Sequence, residues 1–135
     1  MTAPSFFRAA IEVAGLEKGG AFYAELLDDP GRLVGGGRHY FDCGEVILAL
    51  VDVAASGKSA RPTAQNLYFA VSDLDAAYAR ATALGCLSQE KIHGADGGAI
   101  GKRPWGERSF YAVDPFGNKL CFVDRATLFT GKNAR

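Results

Sequence analysis

At the start of the chain, Phe7, Ala9, Ile11 and Val13 alternate with Arg8, Ala10 and Glu12 over residues 6–13. A period of two is that of a strand packed on one face, so Arg8, Ala10 and Glu12 are expected on the face the apolar residues leave. The period then changes. Leu16, Phe22, Tyr23, Leu26 and Leu27 fall mainly on one side of a helix over 16–27, which Gly19 and Gly20 weaken and Asp28-Asp29-Pro30-Gly31 ends. A second helix is expected after Ser72, which stands at capping-box spacing from Asp75; Leu74, Ala77, Tyr78, Ala81 and Leu84 form its buried stripe, and Gly85 stops it. Two hairpins are expected, 38–43 with 46–52 and 108–113 with 119–124. The first turns at Gly44-Glu45 and the second through the Pro and Gly of 114–118.

These elements recur. Residues 10–17 lie over 68–75 at an offset of 58, Arg38-His39-Tyr40-Phe41 over Arg108-Ser109-Phe110-Tyr111 at 70, and 48–52 over 120–124 at 72. The growing offset places two insertions in the second copy. The larger falls within 89–107, a Gly-rich stretch holding the only tryptophan, Trp105, and the smaller in the turn 114–118. The chain therefore reads as one domain: a first module over about 6–52, a small, polar, breaker-rich linker at 53–63, a second module over about 64–124 and a tail at 125–135. The tail shows little amphipathic pattern and is expected to be partly mobile. Each module is β-α-β-β-β and too small to bury its own sheet. The fold class expected is α+β, two tandem βαβββ modules making a curved, cup-shaped mixed sheet with helices outside and a ligand site in the cup.

Composition narrows the partners. Fifteen basic residues balance fifteen acidic ones without a long run of either sign, which removes the electrostatic footprint that nucleic acid or an anionic membrane requires. The N-terminus shows no basic segment leading into an apolar stretch, and no apolar run approaches a spanning length. Cys43, Cys86 and Cys121 are widely spaced with no C-x-x-C unit, so they read as reduced thiols of a cytoplasmic protein.

The segment 105–124, Trp105-Gly106-Glu107-Arg108 through Phe122-Val123-Asp124, resembles the closing hairpin of the vicinal-oxygen-chelate superfamily, which joins glyoxalases, bleomycin-resistance proteins and dioxygenases. Residues 71–75 and 21–27 resemble the starts of that family's helices, and the likeness spans about 6–124. It implies a homodimer and, in the family's enzymes, a divalent metal held by one first-strand and one last-strand residue of each module, usually His, Gln or Glu. The corresponding positions here are Arg8, Ala49, Asn66 and Cys121. Arginine has no lone pair to offer, alanine has no donor atom, and an asparagine with one thiol makes no strong site for a hard ion, so neither metal nor cofactor is expected.

Arg8 would instead place a fixed positive charge where the metal would sit, to meet a carboxylate, phosphate or enolate oxygen. Strand parity adds Glu12, Asn66, Tyr68, Lys119 and Cys121 to the cup lining, and Trp105 would either stack on a flat ligand or anchor its hairpin. Two readings of this lining stand open, a ligand site and a solvated surface. Cys121 has two as well, a nucleophile with a depressed pKa or an inert buried thiol, and Glu12 and Glu107 are candidate bases. His39 and His93 read as hydrogen-bonded or surface histidines, and Gly35-Gly36-Gly37 as a turn rather than a phosphate cradle. The function implied is binding or sequestering of an anionic or flat aromatic small molecule, as in drug-binding bleomycin-resistance proteins. The alternative is a lyase, isomerase or dioxygenase-like enzyme, with Arg8 as electrophile and Glu12 or Cys121 moving the proton, or with an atypical metal site.

Overall fold

A computed structural model describes residues 2–132. The chain divides into two compact units, Met1–Pro62 and Thr63–Arg135. The first runs β1 (Arg8–Val13), α1 (Leu16–Leu27), β2 (Arg32–Val34), β3 (Arg38–Cys43), β4 (Val46–Asp52) and a short 3-10 turn, Ala54–Ser56. The second runs β5 (Leu67–Val71), α2 (Leu74–Ala83), β6 (Lys91–Ile92), β7 (Ala95–Asp96), β8 (Gly101–Lys102), β9 (Arg108–Val113), β10 (Lys119–Asp124) and a 3-10 turn, Arg125–Thr127. The tandem βαβββ architecture is present, its strands paired as two four-stranded mixed sheets ordered β1-β4-β3-β2 and β5-β10-β9-β8. In each, one parallel pair, β1 with β4 or β5 with β10, joins an antiparallel hairpin. The long insertion holds a separate two-stranded hairpin, β6 with β7.

Parity decides the two faces of each sheet. In the first unit Ile11, Val13, Phe41, Leu48 and Leu50 are buried with Tyr23 and Leu26 of α1. Phe7, expected on that side, is 56% exposed, because β1 begins only at Arg8. Gly19 and Gly20 have a packing reason. A Cβ on Gly20 would stand 2.6 Å from His39 Nδ1, and one on Gly19 would stand 3.0 Å from a Val13 methyl. His39 is held there by Nε2 against the Pro30 carbonyl at 2.9 Å and by stacking on Phe41 at 4.7 Å. In the second unit Phe69, Phe122 and Phe110 stack in a row under α2, with Tyr78 edge-on to Phe110 at 5.3 Å.

The structure departs from two expectations. The cap of α2 is Asp73, whose carboxylate accepts the Ala76 amide at 3.0 Å from an extended backbone; Ser72 lies one residue too early to reach that donor. The alignment of the third strands also shifts. Tyr40 pairs with Ala49 and Tyr111 with Cys121, so with Ala49 over Cys121 the offset of β3 to β9 is 71, not 70. A slip of one residue exchanges the faces of a strand, which is why Phe41 points under its helix while Tyr111 points away from α2.

Candidate functional site

In the first unit the sheet face away from α1 carries Arg8, Ala10, Glu12, Tyr40 and Ala49. Arg8 is exposed, its guanidinium 4.9 Å from the Phe7 ring and 5.9 Å from the Tyr40 ring, with Nη1 donating to the Tyr40 hydroxyl at 3.5 Å. Ala49 is fully buried under its neighbours. Glu12 is engaged by the linker. Arg61 Nη2 donates to its Oε2 at 2.8 Å and the Arg61 amide to its Oε1 at 2.9 Å, beside a polar cavity of about 480 Å³ that Lys58, Ser59 and Asp52 also line. The Arg61 guanidinium holds the Glu12 carboxyl below the usual carboxylate range, which weakens it as a base.

The second unit gathers more. Asn66, Tyr68, Lys119 and Cys121 share the face away from α2, with Tyr68, Cys121 and Tyr111 side by side across β5, β10 and β9. Cys121 is 1% exposed and Tyr111 3%. Burial pushes the Cys121 thiol up to about 11, although the Ser109 and Tyr111 hydroxyls hydrogen-bond to it and pull the other way. A thiol raised this far is protonated at neutral pH, which disfavours it as a nucleophile. Burial likewise pushes the Tyr111 phenol up to about 12.

This face is partly covered. Ile92 of the β6–β7 hairpin and Leu128 of the tail pack on Tyr111, Cys121 and Val123. On one side of that cluster lies a cavity of about 150 Å³ bounded by Asn66, Ser88, Glu90, Tyr111 and Lys119, with Lys119 Nζ 3.4 Å from Glu90. On the other lies one of about 390 Å³ lined by Tyr68, Ala70, Trp105, Glu107, Val123, Leu128 and Phe129. Trp105 is anchored in its loop. Its indole N–H donates to Glu107 Oε1 at 2.7 Å and His93 stands edge-on to it at 4.8 Å, which anchors a ring that also forms cavity wall.

Arg103, Tyr111, Leu128 and Phe129 were not singled out from the sequence. Nothing around Arg103 signals that it is 4% exposed, donating to the Ser109 hydroxyl and carbonyl at 2.8 Å with its guanidinium 5.0 Å from the Tyr111 ring. Tyr111 was hidden by the one-residue slip. Leu128 and Phe129 belong to the tail expected to be partly mobile; the Phe129 amide donates to Glu107 Oε2 at 2.9 Å and Thr127 Oγ1 accepts the Arg108 amide at 3.0 Å. The apolar pair Leu128-Phe129 in an otherwise polar tail was the available signal. The last three tail residues, 133–135, lie outside the described residues.

Two βαβββ modules, each with a helix on one face of its sheet and polar and aromatic side chains on the other, define a class. The family profile of the Glyoxalase/Bleomycin resistance protein/Dioxygenase superfamily matches residues 6–122, and the chain belongs to that superfamily. It is similar to a solved glyoxalase/bleomycin resistance protein from Albidiferax ferrireducens T118, with 25% identity, 89% of this chain and 98% of that one covered, and a TM-score of 0.70. Two further structures share the fold. Oxidase ChaP-H1 is 21% identical with a TM-score of 0.73 over 91% of this chain and 97% of that one. A lactoylglutathione lyase from Agrobacterium tumefaciens is 21% identical with a TM-score of 0.65 over 92% and 96%. No curated protein matches the chain.

The donor set at the family's metal positions does not fit a divalent ion. Arg8 offers only donors and Ala49 none, Asn66 has one neutral carbonyl oxygen, and the raised Cys121 thiol resists the deprotonation that metal ligation needs. Among the described residues no three His, Cys, Asp or Glu side chains group together, and no helix is long and apolar enough to cross a membrane.

Proposed function

We propose that this chain binds a flat small molecule in the second-unit cavity without using a metal. The observation behind this is the cavity itself: about 390 Å³ walled by Tyr68, Trp105, Val123, Leu128 and Phe129, with Glu107 as its ionisable group. Aromatic walls with one placed polar group are what a small-molecule site offers, apolar area for affinity and a fixed atom for orientation. Binding is favoured over turnover because the candidate proton carriers are already engaged or protonated: Glu12 is tied to Arg61, Glu107 accepts the Trp105 indole N–H and the Phe129 amide, and the Cys121 thiol is raised. Sequestration of a drug-like compound by a cytoplasmic homodimer completes the proposal. The exposed Phe6, Phe7 and Leu33 support the pairing of copies, and the reduced cysteines support the compartment.

A second site reading applies to Arg8. Among the described residues its guanidinium is exposed and has no carboxylate partner, which favours an anionic group docking on the first unit's open face. Trp105 makes the main reading testable, since it is the only tryptophan and stands in the cavity wall. Titration with 2-naphthol should shift or quench its emission saturably at one equivalent per chain, with EDTA leaving the curve unchanged. A response that never saturates sinks the cavity, and loss of binding on chelation sinks the metal-free part.

A further inference from the structure

We propose that Glu107 makes this cavity select flat aromatic ligands bearing a cationic pair of N–H donors, an amidinium or protonated aminoheterocycle, over neutral or anionic ligands of the same shape. The inference rests on the cavity being a small-molecule site and adds the chemical class it takes. Glu107 is 9% exposed, a carboxylate set into a wall otherwise built of rings and aliphatic groups. Its Oε1 accepts the Trp105 indole N–H at 2.7 Å and its Oε2 the Phe129 amide at 2.9 Å. Both donors are neutral. Among the described residues no Lys, Arg or His nitrogen comes within 4.0 Å of it, and the buried cation of this unit, Arg103, is engaged by Ser109 and by the Ala99 carbonyl.

Carboxylates this deeply buried are ordinarily paired with a cation, because the charge loses its hydration and regains it only from strong partners. Two hydrogen bonds occupy about two of the roughly four acceptor positions of the group, leaving one on each oxygen. An amidinium presents two parallel N–H bonds at the spacing of those oxygens, and its attached ring would lie among Tyr68, Trp105 and Phe129. A ligand carboxylate in the same place would face the Glu107 charge across a poorly screened gap. Trp105 and Phe129 fix the carboxylate in advance, so little freedom remains to be lost on binding.

The test uses the full chain with three probes of one shape, 2-naphthamidine, 2-naphthamide and 2-naphthoate, followed by calorimetry and Trp105 emission. The amidine is expected to bind at least about tenfold more tightly than the amide, the scale of a hydrogen bond to a charged group, with the naphthoate weakest. Glu107→Gln should remove the difference, so that amidine and amide bind alike. An amidine no tighter than the amide, or a naphthoate that titrates Trp105 emission more tightly than both, overturns the selectivity while leaving the cavity as a binding site. If none of the three binds, the cavity reading itself fails. Should Glu107→Gln not fold, Glu107→Asp draws the carboxylate back by one methylene and should shrink the amidine advantage; an undiminished advantage overturns the proposal.

Discussion

By strand register, Ala10, Tyr40 and Ala49 of the first unit stand where Tyr68, Tyr111 and Cys121 stand in the second, and Arg8, Glu12 and Arg38 where Asn66, Ala70 and Ser109 stand. One backbone plan thus bears a charged, wet face in one module and a phenol- and thiol-bearing face in the other that is buried at Tyr111 and Cys121 while Tyr68 stays exposed. The difference follows from what covers each. The second module has the β6–β7 hairpin, which brings Ile92, and the tail, which brings Leu128, and these bury Tyr111, Cys121 and Val123. An unpaired charge beneath such cover is expensive, and the buried charges beside it are held by partners, Glu107 by two donors and Arg103 by the Ser109 hydroxyl and carbonyl. On the helix side the modules solve the same contact oppositely. Tyr78 meets Phe110 edge-on in the second, and Gly20 makes room for His39 in the first. The helix starts differ too. Asp73 caps α2 from its own chain position, whereas Gly15 has no side chain and Asp52 at the end of β4 accepts the Gly15 and Leu16 amides at 3.0 and 3.2 Å.

The largest effect is expected in the second module's ring stack. Phe110 is fully buried between Phe122 and Tyr78, and Phe110→Ala should cost ~3–5 kcal/mol in urea denaturation. A loss under about 1 kcal/mol would mean that the stack is not this module's core. Next is Gly20→Ala. In an exposed helix alanine would stabilise, but here its methyl would drive into a ring pinned by Pro30 and Phe41, so a loss of ~1–3 kcal/mol is expected. His39→Ala in the same chain should return part of it, and a more stable Gly20→Ala single variant would refute the spacer role.

Asp52→Ala should cost about 1 kcal/mol, the scale of a lost helix cap. The Gly15, Ala54 and Leu16 amides hold the Asp52 carboxyl below its usual value. A lowered folded-state pKa contributes stability that is present above the ordinary carboxylate range and lost as pH falls through the folded value. The gap between wild type and Asp52→Ala should therefore be constant near neutrality and close in acid. A gap that widens in acid would assign the effect to another group. The smallest effect is expected at Arg8, where Arg8→Met should leave stability within about 0.5 kcal/mol. The same variant should weaken naphthoate binding if the first unit's open face takes anions. An unchanged affinity would make Arg8 plain surface.

What the sequence determined by itself was everything written in periodicity: α1 over 16–27, both long hairpins with their bounds, the repeat, and the shared face of Asn66, Tyr68, Lys119 and Cys121. Period and parity are properties of the backbone that side-chain order records directly. Tertiary structure decided the rest. A one-residue slip hid Tyr111, because an offset of 70 and one of 71 look alike in composition and differ only in the strand face exposed. Burial of Arg103 and the docking of Leu128 and Phe129 depend on contacts between residues far apart in the chain, which no local pattern encodes. Desolvation raises the Cys121 thiol, and Glu12 is engaged by a linker arginine 49 residues away. A residue's type states what it can offer chemically. Its neighbours in the folded chain decide whether that capacity is already used.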